Sequence, residues 1–190
     1  EVQEAIEILK GERTGRLLTV CMELGAQMLV LSGICKAAQE AKEKLSQALK
    51  SGQGLGKLAA MIDAQGGDPR VVENTGLLPQ AKKRLDVLAE KAGYISDIQT
   101  RHIGEAASVL GAGRLTKSDA IDPAVGIWMH IRTGDTADKG APLATVHYND
   151  ETKMQEAVGM IKDAISVGNT PPAERPLIYG RVSGEGVERA

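Results

Sequence analysis

The segment from Arg16 to Ser32 is apolar on nearly every side of a helix drawn through it, and it constrains the fold more than any other feature. Such a pattern is typical of a helix that is buried on several sides. Within it, Glu23 and Gln27 interrupt the apolar run from Leu17 to Val30, which is shorter than the roughly 20 residues needed to cross a bilayer. The segment therefore predicts a covered helix rather than a membrane span.

Apolar spacing predicts three further helices near this one, at residues 1–10, 37–51 and 55–65, each followed by glycine. The segment 66–69, Gly-Gly-Asp-Pro, ends the helical part of the chain. Four short helices cannot hide all the apolar side chains between Leu17 and Leu31. We therefore expect either an exposed apolar patch on the isolated chain or a partner that covers it.

Beyond residue 80 the pattern changes to short strands mixed with helices. The chain is accordingly predicted to be α+β, helical first, with a boundary near residue 80. Strands are predicted at 84–89 and 93–99, joined across 90–92, and at 126–132, 142–148 and 177–182. Helices are predicted at 103–110 and after a cap at Asn149 or Asp150, the latter helix with a buried stripe of Met154, Val158, Ile161 and Ile165.

Charge and aromatic content exclude some partners. The formal net charge of −2 offers no basic field for nucleic acid or an anionic membrane. One Trp, three Tyr and no Phe provide few platforms for stacking bases. Cys21 and Cys35 form no metal or disulfide motif, so we expect buried reduced thiols and a cytoplasmic protein that binds neither nucleic acid nor membrane.

Glycine-rich and histidine-containing motifs give no catalytic constellation. Residues 52–57 lack the flanking Gly and Ser/Thr of a phosphate loop, and residues 111–113 lack the third glycine of a dinucleotide fingerprint, so both are interpreted as helix ends. His102 and Glu105 share a predicted helix, and His130 and His147 lie on strands that could make them cross-strand neighbours. Neither pair has a third ligand, so structural or surface roles are favoured.

The chain opens at Glu1 without Met and already within a helical pattern. We expect from this either processing or a piece of a longer protein.

Several ordered phrases resemble the pyrimidine-nucleoside and thymidine phosphorylase family. The first is the helix from Glu1 to Gly11, which resembles the helix after that family's G-N-A-L-E stretch. Further landmarks follow in the family's order at residues 64–68, 78–81, 103–104, 110–114, 121–122, 124–127, 134–135, 142–144 and 146–147. The resemblance covers nearly the whole chain.

The resemblance implies that the chain is the C-terminal portion of such an enzyme. Residues 1–82 would be the helical end of the α/β catalytic domain. Residues 83–190 would be the family's C-terminal domain, of α/β hammerhead type with a barrel-sandwich element similar to biotinyl and lipoyl carriers. The family enzyme is a homodimer that cleaves pyrimidine nucleosides with inorganic phosphate, giving free base and a pentose 1-phosphate.

The resemblance also implies where the chemistry is. The family's K-H-S-T-G-G-x-G-D phosphate loop does not occur in this sequence, and its base-recognising Arg, Ser and Lys would lie upstream. We expect no catalytic or substrate-binding residue here, no organic cofactor, and no activity without the upstream part. One metal ligand is implied, the carboxylate of Glu4 for a potassium ion, and a solvated first-turn glutamate is the alternative.

A second hypothesis is a binding or carrier module without catalytic activity. Residues 134–143 resemble part of a biotinyl or lipoyl carrier motif, with Lys139 as the only lysine in it. A carrier lysine lies at the tip of a tight hairpin, whereas Lys139 is followed by glycine at the entry to a predicted strand. The motif is therefore interpreted as structural.

Overall fold

The computed structural model describes residues 1–114, 116–184 and 186–189. The chain forms two compact units, one of residues 1–77 with 175–190 and one of residues 78–174. In chain order the helices are α1 (Val2–Leu9), α2 (Arg16–Leu31), α3 (Ala38–Lys50), α4 (Gln53–Ala64), α5 (Thr100–Leu110) and α6 (Glu151–Ala164). The strands are β1 (Lys83–Leu88), β2 (Gly93–Ile98), β3 (Gly126–Met129), β4 (Thr136–Ala137), β5 (Pro142–Tyr148), β6 (Ile165–Gly168), β7 (Gly180–Ser183) and β8 (Gly186–Arg189). The predicted α+β class is confirmed.

The first unit contains the four predicted helices and has a small core. Helix α2 packs on α3 through Ala26, Cys35 and Ala41, which are all buried. The turn between α3 and α4 requires glycine, because Gly52 has φ +72°. Two 3₁₀ turns (Pro69–Val72 and Thr75–Leu77) follow α4, and β7 pairs with β8 in an antiparallel hairpin. The prediction that α2 is buried on several sides was wrong for this chain, because Ala26 is the one buried residue of α2, a helix that the structure describes in full. Of the two expected alternatives, an exposed patch or a covering partner, the structure shows the exposed patch, which includes Leu24, Met28 and Leu31.

The second unit is built around β5, the middle strand of the antiparallel sheet β1–β5–β3. Alternate β5 residues Ala144, Val146 and Tyr148 lie on one face and pack with α5 and α6. Met154 and Ile161 of α6 are buried in the same cluster. Helix α6 begins as predicted, because the side chain of Asp150 accepts a hydrogen bond from the backbone N–H of Lys153.

A second antiparallel sheet, β4–β2–β6, has its own apolar cluster. Ile95 of β2 is fully buried there, with Ala89, Ile131, Ala137 and Leu143 around it. Leu143 belongs to β5, so this strand contributes side chains to both apolar clusters.

The two strands predicted on either side of residues 90–92 are confirmed as β1 and β2, and they belong to different sheets, because β1 pairs with β5 while β2 pairs with β4 and β6. Two details of the sequence-based prediction were wrong. Ile165 does not extend the stripe of α6, because its backbone is already extended (φ −108°, ψ 118°) and it pairs with Ile98. The last predicted strand, 177–182, begins only at Gly180, after the proline-containing segment.

Among the residues that the structure describes, no helix combines the length and apolar character that crossing a bilayer requires.

Candidate functional site

Glu4, the predicted potassium ligand, lies in the first turn of α1 and faces an arginine. Its Oε1 atom is 3.2 Å from Nη2 of Arg13, and Nη1 of the same guanidinium is 3.1 Å from Oε2 of Glu7. Glu4 and Glu7 are three residues apart, so they share a face of the helix. All three side chains are partly exposed, and ion pairs of this kind add little stability.

The chemistry of this cluster fits potassium in one respect. Carboxylate oxygens are hard donors that suit a hard cation, and two carboxylates facing one guanidinium leave a net negative charge. Among the described residues, however, no group of three or more His, Cys, Asp or Glu side chains is placed to hold a metal ion. Glu4 therefore fits as a single ligand, and other oxygen donors would have to complete the shell.

The two histidine pairs of the sequence analysis are not formed. On α5, Glu105 accepts a hydrogen bond from Nε of Arg101 at 2.8 Å instead of sharing a ligand with His102, which is exposed. The strands carrying His130 and His147 do pair, but His147 is opposite Gly126 and the N–H of His130 donates to the carbonyl of Leu143. His130 and His147 are therefore not cross-strand neighbours, the arrangement that the sequence analysis had considered but not favoured.

His130 instead ends a polar chain that crosses the sheet. The hydroxyl of Thr145 on β5 donates to Oδ1 of Asp86 on β1 at 2.5 Å, and Nε2 of His130 lies 2.7 Å from the same hydroxyl oxygen. Since the hydroxyl has one hydrogen and gives it to Asp86, Nε2 of His130 carries the donated proton. These polar side chains link β1, β5 and the end of β3 on the face of the sheet opposite α5 and α6.

The sequence analysis did not predict this hydrogen-bonded set of side chains because Asp86 and Thr145 are 59 residues apart. The signal that could have found it is the strand alternation, which puts Asp86, His130 and Thr145 at positions between the core residues. Chemically the arrangement holds one proton at a fixed atom and orders three strands.

The glycine motifs are helix ends, as interpreted from the sequence. Gly52 is the N-cap of α4 and residues 53–57 begin that helix, while Gly111 caps the C-terminus of α5 with φ +110°. Neither stretch of chain follows a strand, so neither has the context of a phosphate-binding loop.

Lys139 lies in the chain between β4 and β5, which belong to different sheets, so it does not lie at the tip of a hairpin. The backbone N–H of Gly140 donates to the carbonyl of Ala89 at 2.8 Å, which fixes this turn. Asp135 braces the preceding turn by accepting a hydrogen bond from the N–H of Arg132 at 2.7 Å. The carrier-like motif thus contributes backbone and side-chain bonds to the sheet framework.

A shallow groove of about 410 Å³ lies beside Lys139, lined mainly by residues 85–90 with Val158 and Lys162. Nζ of Lys162 is 2.9 Å from Oε1 of Glu90. Hydrogen bonding to Lys162, followed by its positive charge, lowers the pKa of Glu90. Glu90 and Lys162 therefore neutralise one another at the rim of this groove.

Comparison with known proteins decides the family. Residues 94–168 match the family model described as pyrimidine nucleoside phosphorylase C-terminal domain. Pyrimidine-nucleoside phosphorylase of Bacillus subtilis (strain 168) is 42% identical over 167 residues, which are 88% of this chain and 38% of that protein. The chain belongs to the pyrimidine-nucleoside phosphorylase family.

Two further proteins named pyrimidine-nucleoside phosphorylase are similar to this chain. The protein of Geobacillus stearothermophilus is 37% identical over 183 residues, covering 96% of this chain and 42% of the relative. The protein of Staphylococcus aureus (strain USA300) is 38% identical over 169 residues, covering 89% and 39%. The chain thus spans about two fifths of the length of the curated relatives it matches.

The matched C-terminal domain of the phosphorylase family lies within the second unit. It runs from the second residue of β2 to the end of β6 and includes α5, α6 and the strands between them. His130, Lys139 and Thr145 lie inside the match, whereas Glu4 and Asp86 lie outside it.

Proposed function

We propose that this chain is the C-terminal portion of a pyrimidine-nucleoside phosphorylase, a pentosyltransferase. In the reaction, inorganic phosphate attacks the anomeric carbon of thymidine or uridine, the N-glycosidic bond breaks, and free base and a pentose 1-phosphate are formed. The observation that carries the proposal is the similarity to proteins of that name over 88–96% of the chain, across both of its units.

The catalytic groups are proposed to lie in the preceding part of the polypeptide. The reaction requires donors for a phosphate dianion and for the negative charge that develops on the departing base. In the side-chain clusters described above the basic groups face carboxylates, Arg13 facing Glu4 and Glu7 and Lys162 facing Glu90, so they are not arranged to receive an anion. The proposed task of this chain is to complete the large domain and to support the cleft closure that aligns sugar and phosphate.

Residues 1–82 are proposed to be the helical end of the α/β catalytic domain and residues 83–190 the family's C-terminal domain. The finer assignment of the latter is an α/β hammerhead with a barrel-sandwich element. Its support is the division of strands between two small antiparallel sheets, with β5 contributing to both apolar clusters.

Glu4 is proposed to be one ligand of a potassium ion when the upstream segment is present. The partly exposed carboxylate and the excess negative charge beside Arg13 support this. A bound potassium ion would neutralise that charge. The remaining oxygen donors would come from outside the chain described here.

The complete enzyme is proposed to be a cytoplasmic homodimer that requires no organic cofactor. Cys21 and Cys35 are both free thiols, which is compatible with a reducing compartment.

The test is phosphate-dependent release of thymine from thymidine, and of uracil from uridine, by this chain alone and fused behind the upstream part of the Bacillus subtilis relative. Activity of the fusion only is the expected result. Activity of the chain alone would overturn the upstream location of the catalytic groups. A folded but silent fusion would favour a binding module, which biotin or lipoyl on Lys139 in a mass spectrum would support.

A further inference from the structure

Helix α2 presents a continuous apolar stripe to the outside of the first unit. We call Leu17, Cys21, Leu24, Met28 and Leu31 the α2 stripe; they are spaced 4, 3, 4 and 3 residues apart, so they follow one line along the helix. All five side chains are exposed, with Leu24 60%, Met28 69% and Leu31 85% accessible. A large apolar surface of this kind marks an interaction site.

The opposite side of α2 is already used. Ala26 is fully buried against the start of α3, and a side chain at Gly25 would lie only 3.0 Å from a methyl group of Leu45. The carboxylate of α2 also lies away from the stripe, since Glu23 pairs with Lys42 of α3. The stripe is therefore a second apolar face on a helix whose first face is covered.

The two units differ in how completely they bury their own apolar side chains. Of the 23 buried apolar residues that the structure describes, 7 lie in residues 1–77 and 16 in residues 78–174. Of the 14 exposed large apolar residues that the structure describes, 11 lie in the first unit (8 in residues 1–77 and 3 in residues 175–190) and 3 in residues 78–174. The first unit thus lacks a covering layer, whereas the second supplies its own.

A second copy of this chain is a poor occupant for the stripe. Five residues cover about two heptads, whereas a self-supporting coiled-coil seam needs at least about three. A stable interface between separate chains buries roughly 800 Å² on each partner, involving some 20–30 residues a side. A segment joined covalently to the same chain can dock with a smaller buried area, because its association costs little translational freedom.

The lengths of the relatives provide a covalently joined occupant. This chain aligns over 88–96% of its own length with phosphorylases of which it covers only 38–42%. About three fifths of each relative therefore lies outside the alignment and is available to cover the first unit.

We propose that the α2 stripe is the docking surface for an apolar face of the preceding part of the phosphorylase polypeptide. This inference rests on the proposed function. It assigns to α2 the interface between the part of the enzyme described here and the part that holds the catalytic groups.

The test compares the same substitutions in two contexts: the isolated chain, and the fusion behind the upstream part of the Bacillus subtilis relative. Leu24→Glu and Met28→Glu each place a charge in the stripe. Gln47→Glu places the same charge on an exposed position of α3 and is the matched control. Thermal unfolding and size-exclusion chromatography with light scattering are measured for every protein.

In the isolated chain both stripe variants are expected to unfold within about 2 °C of the wild type, since the side chains are exposed there. In the fusion both are expected to lower the unfolding temperature by at least about 5 °C, because a charge is buried without a partner. Gln47→Glu is expected to have no effect in either context.

Equal stability of stripe variants and wild type in the fusion would overturn the docking proposal. So would an isolated chain that is dimeric and becomes monomeric in both variants while the fusion is unaffected, since a second copy would then be the occupant. Measuring phosphorylase activity of the fusion separates the two proposals. If the fusion is inactive but the stripe variants lower its stability, only the proposed function is refuted. If the fusion is active and the stripe variants leave its stability unchanged, only the docking proposal is refuted.

Discussion

Asp122 and Asn149 are joined by a hydrogen bond of 2.7 Å from Nδ2 of Asn149 to Oδ2 of Asp122. The other atom of the Asn149 amide, Oδ1, accepts the backbone N–H of Lys82 at 2.8 Å. The other oxygen of Asp122 accepts the N–H of Ala124 at 2.9 Å. Two side chains thus tie the loop after α5, the end of β5 and the entry to β1 together.

Asn149→Ala removes both side-chain bonds from this junction. We expect the free energy of unfolding to fall by about 1–2 kcal/mol, since each net hydrogen bond contributes about 1 kcal/mol. Urea denaturation measures the change, with Asn169→Ala, an exposed asparagine, as the control. Equal stability of the two variants would mean that water replaces the amide at no cost.

The stability contributed by Asp122 is expected to depend on pH. The N–H of Ala124 and then the amide of Asn149 hold the pKa of Asp122 below its ordinary value of 3.8. A lowered folded pKa stabilises the fold above the ordinary value, and this stabilisation is lost as pH falls through the lowered pKa.

The stability difference between wild type and Asp122→Asn should therefore be largest above about pH 5 and shrink below pH 3.8. Urea denaturation at a series of pH values measures it. A difference that does not change with pH would assign the effect of the substitution to shape rather than charge.

Thr145 is the centre of the polar chain across the sheet, and its hydroxyl can be deleted without changing its size. Thr145→Val leaves Asp86 and His130 without their bridge and should lower the free energy of unfolding by about 1–3 kcal/mol. Thr145→Ser keeps the hydroxyl and should recover part of the loss. Denaturant titration of wild type and the two variants measures the change in the free energy of unfolding. A valine variant as stable as wild type would contradict a stabilising role for the polar chain of Asp86, Thr145 and His130.

Local features of the fold could be predicted from the sequence. The strand from Pro142 to Tyr148 was placed with its observed bounds, and Asp150 was one of two caps proposed for α6. Both depend on the pattern of neighbouring residues, namely apolar runs and a capping side chain before a helix. Counting the apolar residues of α2 predicted either an exposed patch or a covering partner, but it did not identify the stripe, and Cys21, which was expected to be buried, is exposed.

Contacts between distant segments could not be predicted. The sequence predicts that β1 and β2 follow one another along the chain, but it does not predict that β1 pairs with β5 and β2 with β6. Asn149 was considered only as a cap, whereas it bonds to Lys82 and Asp122, 67 and 27 residues away. The potassium ligand Glu4 stays a prediction for the same reason, since its remaining shell would be non-local.

Gly93 and Gly159 should respond in opposite ways to alanine. Gly93 has φ +157°, and a Cβ atom there would lie 2.5 Å from the carbonyl oxygen of Gly168 on the neighbouring strand. Gly93→Ala should cost about 3 kcal/mol or more. Gly159 lies in α6 with open space around it, so Gly159→Ala should stabilise by about 0.5–1 kcal/mol. Thermal unfolding ranks the two variants against wild type, and the reverse order would contradict the strand pairing of Gly93.

Glu4 and Glu7 share one arginine, which makes Glu7 a matched control for the proposed potassium ligand. In the fusion with the upstream part, Glu4→Gln should weaken the stabilisation by potassium chloride relative to choline chloride, because an amide oxygen carries no full charge. Glu7→Gln breaks the same kind of ion pair and should leave that salt response unchanged. Thermal unfolding in a titration of each salt measures both. If the two variants lose the response equally, or neither does, Glu4 acts only as a partner of Arg13 and the potassium assignment is wrong.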